Sequence, residues 1–356
     1  MIRENIKKME EYKPPLEGRA KKNYLLLDFN EMTTEPSPQI KRALKKFIDS
    51  GKLQAYPEYG NLNKKIADYA GVKVSEVIPT NGSDQAIDIV FRAVLAPKDK
   101  VIIPTPSFAM FYQSAKIQGA CILKLFYNRK DLSFPLKEVL DLINRKVKLI
   151  VICNPNNPTG SFISVNKVEK ILKKAKRKGA TVLHDEAYFE FSKITAKDLI
   201  AKYDNLFITR TFSKAFGLAS LRCGYVISQK DNIKQLLKIR GPYDVNMCAK
   251  TAVLAALGNI KYMTSYVKRI MEKSKPKLEE FLTKKKITFF PSKANFLLIK
   301  VSQPEKVYKF LKKKGILVRP RNDPVIKNTI RISIGTVRET ERFIKIFRTI
   351  PENYLF

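Results

Sequence analysis

Short apolar runs alternate with longer amphipathic stretches along most of this chain. The apolar runs are rich in β-branched residues and lack polar alternation, which is typical of strands buried on both faces. Helices are predicted at residues 83–95, 165–178 and 250–257, where apolar positions recur every three to four residues. Strands are predicted at residues 100–106, 120–126, 148–155, 180–188, 205–212 and 222–228. This alternation predicts an α/β fold with a parallel sheet between layers of helices.

The pattern changes after about residue 246. A long basic helix is followed by strands within residues 287–292 and 294–301, a helix at 304–314 and a last strand at 329–335. This order predicts a smaller α+β domain at residues 246–356. The N-terminal segment, residues 1–45, is expected to pack with it, so that residues 46–245 form the large domain.

The charge balance is strongly basic, with 68 Lys and Arg against 33 Asp and Glu and a net charge of +35. The basic clusters at residues 173–178, 284–286 and 312–314 interrupt helical patterns, so we interpret them as solvated helix faces. Neither a nucleic-acid-binding module nor basic residues interleaved with exposed aromatics are evident. We therefore expect no specific nucleic-acid partner.

Several classes of protein are disfavoured by simple counts. No apolar run approaches the roughly 18 residues that a membrane helix needs, and the N-terminus does not resemble a signal peptide. The four cysteines are far apart and form no CxxC pair, which suits reduced thiols in the cytoplasm. His184 is the single histidine, so histidine-based metal sites are not expected, and a structural role for it is favoured. A phosphate loop of the GxxxxGK[ST] type is also absent from the sequence.

Four segments carry candidate chemistry. They are NGSDQ at residues 81–85, NPNNPTG at 154–160, DEAY at 185–188 and TFSKAFGLASLRCG at 211–224. The first opens a helix whose leading amide groups form an anion site, and the others follow predicted strands. Ligands collect at the carboxyl ends of strands in open α/β sheets, so all four segments are expected to meet in one crevice.

The order and content of these segments resemble the aspartate aminotransferase superfamily, the fold-type-I pyridoxal-phosphate enzymes. The resemblance covers nearly the whole chain and implies a mostly parallel seven-stranded sheet flanked by helices. It implies that Lys214 forms a Schiff base with pyridoxal phosphate and then moves the substrate's α-proton. Asp185 would pair with the protonated pyridine nitrogen, and Tyr188 and Asn157 would bond the phenolic oxygen of the ring.

The same resemblance implies a phosphate cup, a stacking aromatic and a carboxylate site. Phe108 would stack on the cofactor ring, and Arg331 would bind the α-carboxylate of amino and oxo acid substrates. Tyr56 would reach the cofactor phosphate of a neighbouring subunit, which implies a homodimer with shared active sites. The cofactor phosphate would be held by Gly82, Ser83, Asp84, Thr211, Ser213 and Arg222.

Finer features resemble the histidinol-phosphate aminotransferase branch. They are NE at residues 30–31, GPYDVN at 241–246, PSKANFLLI at 291–299 and GILVRPR at 315–321. Members exchange an amino group between histidinol phosphate and 2-oxoglutarate, in histidine biosynthesis. Asn30 and Tyr243 would then contact substrate, Tyr243 from the partner subunit, and Arg319 would bind the substrate phosphate.

The chain also departs from the pattern of that branch. Asp244 replaces an amide, Met32 replaces the second asparagine of NEN, and Pro15 stands where a substrate-contacting tyrosine is usual, with Tyr12 nearby. The alternative is a decarboxylase of O-phosphorylated threonine or serine, or an aminotransferase for aromatic or other phosphorylated substrates. A non-enzymatic cofactor-binding regulator or a nucleic-acid-binding protein is disfavoured by the joint presence of Lys214, Asp185 and Arg331.

Overall fold

The computed structural model describes residues 1–19 and 23–356. Its strands, in chain order, are β1 (Leu25–Leu26), β2 (Val77–Thr80), β3 (Lys100–Thr105), β4 (Cys121–Phe126), β5 (Val147–Cys153), β6 (Thr181–Asp185), β7 (Leu206–Thr211), β8 (Gly224–Ile227), β9 (Phe289–Phe290), β10 (Phe296–Lys300), β11 (Ile316–Leu317), β12 (Arg319–Arg321) and β13 (Thr329–Ser333).

The α-helices run between and after these strands. They are α1 (Glu4–Lys7), α2 (Pro38–Asp49), α3 (Leu62–Ala70), α4 (Gly82–Val94), α5 (Ala109–Ile117), α6 (Leu136–Leu142), α7 (Val165–Lys178), α8 (Phe189–Ser192), α9 (Lys230–Ile239), α10 (Met247–Leu257), α11 (Ile260–Arg269), α12 (Lys275–Lys284), α13 (Pro304–Lys313), α14 (Val337–Phe347) and α15 (Glu352–Leu355).

The central sheet has seven strands in the order β2-β8-β7-β6-β5-β3-β4. Strand β8 runs antiparallel to both of its neighbours, and the other adjacent pairs are parallel. The predicted seven-stranded, mostly parallel α/β sheet is therefore confirmed. Strands β5, β6 and β7 are almost entirely buried, as expected for strands covered on both faces.

The edge strand β4 differs from this expectation. Each of its positions is exposed or only partly buried, and Phe126 at its end is exposed. An apolar run in the sequence therefore does not distinguish a central strand from a more exposed edge strand.

Helix α7 illustrates how a very basic sequence folds onto this sheet. Val168, Ile171, Leu172 and Ala175 recur at helical spacing and are buried, while the lysines between them face solvent. The helix ends at Gly179, which adopts φ +72°, a left-handed conformation that glycine adopts without strain. This arrangement supports the interpretation of the basic clusters as solvated helix faces.

A smaller antiparallel sheet has the order β12-β13-β10-β9, and β1 pairs in parallel with β11. Strand β1 and the contacts of α2 with α10 join the N-terminal segment to later parts of the chain. The division of domains at residues 45 and 245 stays a prediction.

The long basic helix predicted after about residue 246 is present but begins later than expected. Helix α10 begins at Met247, where the Asn246 side chain accepts a hydrogen bond from the Ala249 amide, and it ends at Leu257. Helix α11 starts only after Gly258 and Asn259 and then continues through a π-helical turn, Ile270–Ser274, into α12. Glycine is a poor helix former, and this explains the break between the first two helices.

His184 is fully buried within β6. Its Nδ1 lies 3.0 Å from Oε1 of Glu186, and its Nε2 lies 3.3 Å from the Asn154 side-chain amide. Both ring nitrogens are thus used in internal contacts, which fits the structural role that the sequence favoured. Among the described residues, no helix is both long and apolar enough to cross a membrane.

Candidate active site

Two adjoining cavities of about 500 and 550 Å³ lie at the carboxyl ends of β5, β6 and β7, against the small sheet. They share Tyr12, Phe29, Phe108, Asn157 and Lys214 as lining residues. One cavity extends to the start of α4 and Arg222, and the other extends to β12 and Arg331. The four sequence motifs therefore meet in one region, at the sheet edge where they were expected.

Lys214 stands between the two cavities, three residues after β7. Its Nζ donates a hydrogen bond to the Phe29 carbonyl at 2.9 Å. Burial, together with the nearby Arg331 guanidinium, lowers the pKa of this amine from its usual value to about 8. A substantial neutral fraction near physiological pH fits the role that the family resemblance implies for Lys214, in which the amine would attack a carbonyl and exchange protons.

The lowered pKa of Lys214 gives a pH prediction. Only the neutral amine attacks an aldehyde, so capture of pyridoxal phosphate by the cofactor-free protein should accelerate with pH and level off above about 8. An amine with the usual lysine pKa would still be accelerating near pH 10. Stopped-flow absorbance from pH 6.5 to 9.5 measures this dependence, and a rate that rises without a plateau would contradict the prediction.

Asp185 ends β6 with its carboxylate almost completely buried. Asp185 pairs with Cys153 of β5 on one side and with Thr209 of β7 on the other, so both residues lie beside it in the sheet. The Thr209 hydroxyl donates to Asp185 Oδ1 at 2.8 Å, and the Cys153 thiol lies 3.5 Å from Oδ2. Burial raises the pKa of Asp185 to about 6, although the Thr209 hydrogen bond opposes this shift.

Thr209 and Cys153 were not singled out from the sequence. Nothing in their local pattern distinguishes them from other buried strand residues, because their contact with Asp185 depends on the register between parallel strands. The structure therefore adds two residues that act on the carboxylate at the end of β6.

Removing the Thr209 hydroxyl should make the ionised carboxylate of Asp185 less stable relative to its protonated form. In Thr209→Val we expect the pKa of Asp185 to rise above about 6, because the hydrogen bond that favours the charged form is lost. We expect activity at pH 7 to fall about tenfold, the size of one hydrogen bond to a charged group. The pH–rate profile of Thr209→Val should shift to higher pH, and that of Thr209→Ser should stay close to wild type. Identical profiles for the valine and wild-type proteins would contradict this role.

The start of α4 and the loop after β7 form a polar cup. Ser83, Asp84, Thr211, Ser213 and Arg222 all line the cavity here. The Arg222 guanidinium donates to Asp84 Oδ2 at 2.8 Å and so closes the cup across the helix N-terminus. The free amide groups and the helix dipole at this end favour an anion.

Gly82 suits this point because of its backbone conformation. Its φ is +71°, and a Cβ there would lie 2.6 Å from Arg222 Nη2. The left-handed φ favours glycine whatever the space around it, and the absence of a side chain also leaves room for the Arg222 guanidinium beside the helix N-terminus.

Tyr188 lines the cavity that holds the cup, Arg331 lines the other cavity, and Asn157 lines both. The Tyr188 hydroxyl accepts a hydrogen bond from the Asn30 side-chain amide at 2.9 Å, which leaves its own proton to be donated. Arg331 donates to Asn157 Oδ1 at 2.5 Å and to the Asp28 carbonyl at 2.6 Å. These bonds hold the guanidinium in one orientation at the cavity wall.

Other predicted residues take different places. Phe108 lines both cavities, whereas Asn30 is buried behind Tyr188 and is not among the described lining residues. Tyr56 and Tyr243 stack on each other with ring centroids 4.5 Å apart, and both are exposed outside their own chain's cavities.

The departures from the family pattern also have clear positions. Tyr12 lines both cavities, while Pro15 lies outside them. Asp244 is held in a mostly buried ion pair, with its Oδ2 3.1 Å from Arg240 Nε. Asp244 thus holds its own loop in place through this ion pair, and it lines neither cavity.

Comparisons with known proteins agree with this geometry. The family model for aminotransferase class I and II matches residues 22–347. The chain belongs to this family. It is 34% identical over 362 residues to histidinol-phosphate aminotransferase of Staphylococcus carnosus, with 98% of each chain covered. It is 32% identical over 366 residues to histidinol-phosphate aminotransferase 2 of Carboxydothermus hydrogenoformans, with 99% of each covered.

Solved structures of similar proteins have the same fold as this class I and II aminotransferase. Histidinol-phosphate aminotransferase of Sinorhizobium meliloti in complex with pyridoxal-5'-phosphate superposes with a TM-score of 0.88, 20% identity and 98% of each chain covered. The enzyme from Clostridium acetobutylicum gives a TM-score of 0.83 at 25% identity, covering 92% of this chain and 98% of its own. The family implies pyridoxal phosphate as the cofactor.

Proposed function

We propose that this chain is a pyridoxal-phosphate-dependent transaminase that exchanges the amino group between histidinol phosphate and 2-oxoglutarate. The observation that carries the proposal is the position of Lys214, which lines both the cavity that holds the polar cup and the cavity that contains Arg319 and Arg331. The names of the curated relatives, about one-third identical over nearly the full chain, support the choice of substrate.

The cavity fits the cofactor on its own chemistry. Among the described residues, the weakly donating Cys153 thiol is the one hydrogen-bond partner of Asp185 Oδ2, and this suits a protonated ring nitrogen. The cup supplies hydroxyls, helix amides and Arg222 for a phosphate. When bound, pyridoxal phosphate supplies an electron sink for the carbanion formed at the substrate's α-carbon.

The protein's own groups then have separable tasks. The Lys214 amine takes the α-proton and returns it to the other end of the reacting system, for which an amine pKa near 8 is suited. Asp185 would hold a positive charge at the ring nitrogen of the bound cofactor, and Tyr188 and Asn157 would donate hydrogen bonds to its phenolic oxygen. Arg331 orients a carboxylate, and Arg319 is proposed to take a phosphate at the far end of the site.

A panel of amino donors tests the substrate assignment. Each donor is mixed once with the cofactor-loaded enzyme, and the loss of the visible absorption band is followed. We expect histidinol phosphate and glutamate to react faster than tyrosine, phenylalanine and phosphothreonine. Equal rates for histidinol phosphate and the aromatic amino acids would overturn the assignment, and release of carbon dioxide from phosphothreonine would select the decarboxylase alternative.

We also propose a homodimer whose subunits share their active sites. The stacked pair of Tyr56 and Tyr243 is an exposed aromatic patch of the kind enriched at protein interfaces, and it does not serve the cavities of its own chain. If Tyr56 acts on the neighbouring subunit, refolding Tyr56→Ala together with Lys214→Ala should restore activity that neither variant has alone. A mixture as inactive as its components, or a monomer in sedimentation equilibrium, would contradict shared sites.

A further inference from the structure

Three arginine side chains share one face of the small sheet where it borders the cavity. Arg319 in β12 is directly opposite Arg331 in β13, so their side chains lie on the same face. Arg321 follows Arg319 by two positions in the strand and therefore points to that face as well. All three line the cavity of about 500 Å³. Like charges directly opposite each other destabilise a sheet, so this arrangement favours a bound anion.

The counter-charges within the cavity do not balance these arginines. Asp323 is the one acid among the described residues that line it. Arg321 Nη2 donates to Asp323 Oδ1 at 3.0 Å and lies 2.9 Å from Oδ2, so a single nitrogen makes the whole ion pair. Arg319 Nη1, Arg321 Nε and Arg331 Nε are buried without a hydrogen-bond partner in the described part of the chain. Buried donors of this kind are normally satisfied, and a ligand with several acceptor oxygens would satisfy them.

We propose that Arg321 is a specificity-determining residue that binds a dianionic phosphate together with Arg319, and that Asp323 is its counter-ion before the phosphate binds. The inference builds on the proposed function, because it assigns a residue to the phosphate end of the same substrate. Arg321 was not among the residues chosen from the sequence.

The chemistry of the two anion types explains the selectivity. A phosphate monoester carries a charge of about −1.5 to −2 at pH 7 and three acceptor oxygens, enough for two guanidinium groups. A carboxylate has one charge and two oxygens, and Arg331 alone can bind it in a bidentate manner. Asp323 offers Arg321 the same kind of group as a carboxylate ligand. A phosphate dianion therefore gains more binding free energy than a carboxylate monoanion when it displaces Asp323 from Arg321.

Calorimetric titration of the cofactor-loaded enzyme tests this role, with inorganic phosphate and acetate as probes at pH 7.5 and constant ionic strength. We expect Arg321→Leu to weaken phosphate binding about tenfold and to change acetate binding much less. The matched control is Lys327→Leu, which removes an exposed positive charge from the same β12–β13 connection outside the cavity. This control should bind phosphate as the wild type does. Asp323→Asn should bind phosphate more tightly, because the competing carboxylate is gone.

The proposal is overturned if Arg321→Leu binds phosphate like the wild type, or if it loses phosphate and acetate binding equally. If Arg321→Leu fails to fold, as judged by loss of the visible cofactor band, Asp323→Asn decides. Unchanged or weaker phosphate binding in that variant overturns the proposal. If phosphate binding depends on Arg321 but histidinol phosphate is not a substrate, the proposed function fails and the anion site stands.

Discussion

Lys214→Ala is expected to lower transamination about 10⁴-fold, the upper range for loss of a positioned general acid and base. The alanine can neither bind the cofactor covalently nor move the α-proton, whereas Asp185 and the polar cup remain. The variant should therefore still bind pyridoxal phosphate, but without the absorption band of the lysine-bound form. Absorbance spectra and steady-state rates measure both effects.

A matched lysine separates this chemistry from a general effect of lost charge. Lys178 is exposed at the end of α7 and lines neither cavity, and Lys178→Ala should retain wild-type spectra and rates. Retention of the visible band in Lys214→Ala would refute the assignment. Partial recovery of activity on adding a small primary amine would support it, since the lost group would then be supplied from solution.

Asp185→Asn is expected to lower activity at least about a hundredfold, because a preorganised buried charge is removed from the reacting ring. The amide has nearly the same shape, so the fold and the covalent link to Lys214 should persist. The expected result is therefore a protein that keeps a visible band but turns over very slowly. Burial raises the pKa of the carboxyl group to about 6 in the cofactor-free protein, so a positive charge at the ring nitrogen should lower it again.

The cofactor content distinguishes this outcome from simple damage. If Asp185→Asn fails to retain the cofactor at all, its role is in binding, and the separation between binding and electronic effects proposed here is wrong. Cys153→Ala is a useful companion, because its thiol lies 3.5 Å from Asp185 Oδ2 and is a weak donor. We expect that variant to change activity much less than Thr209→Val.

The sequence by itself determined the fold class and the chemistry. The alternation of apolar strands and amphipathic helices was enough to predict the parallel sheet, because burial on both faces leaves a nearly continuous apolar run in each strand. Four motifs were enough to predict one shared crevice, because parallel strands bring their carboxyl ends to one edge of the sheet. These motifs are at residues 81–85, 154–160, 185–188 and 211–224. Both are consequences of local periodicity and chain direction.

Register and packing were decided only by the tertiary structure. Thr209 reaches Asp185 because β6 and β7 align those two positions, and a shift of one residue would turn one of the side chains to the other face of the sheet. Arg321 joins Arg319 and Arg331 because β12 pairs with β13 in one particular register. Neither alignment is encoded in a local pattern, since a strand's own alternation is unchanged whichever residue of its neighbour it meets.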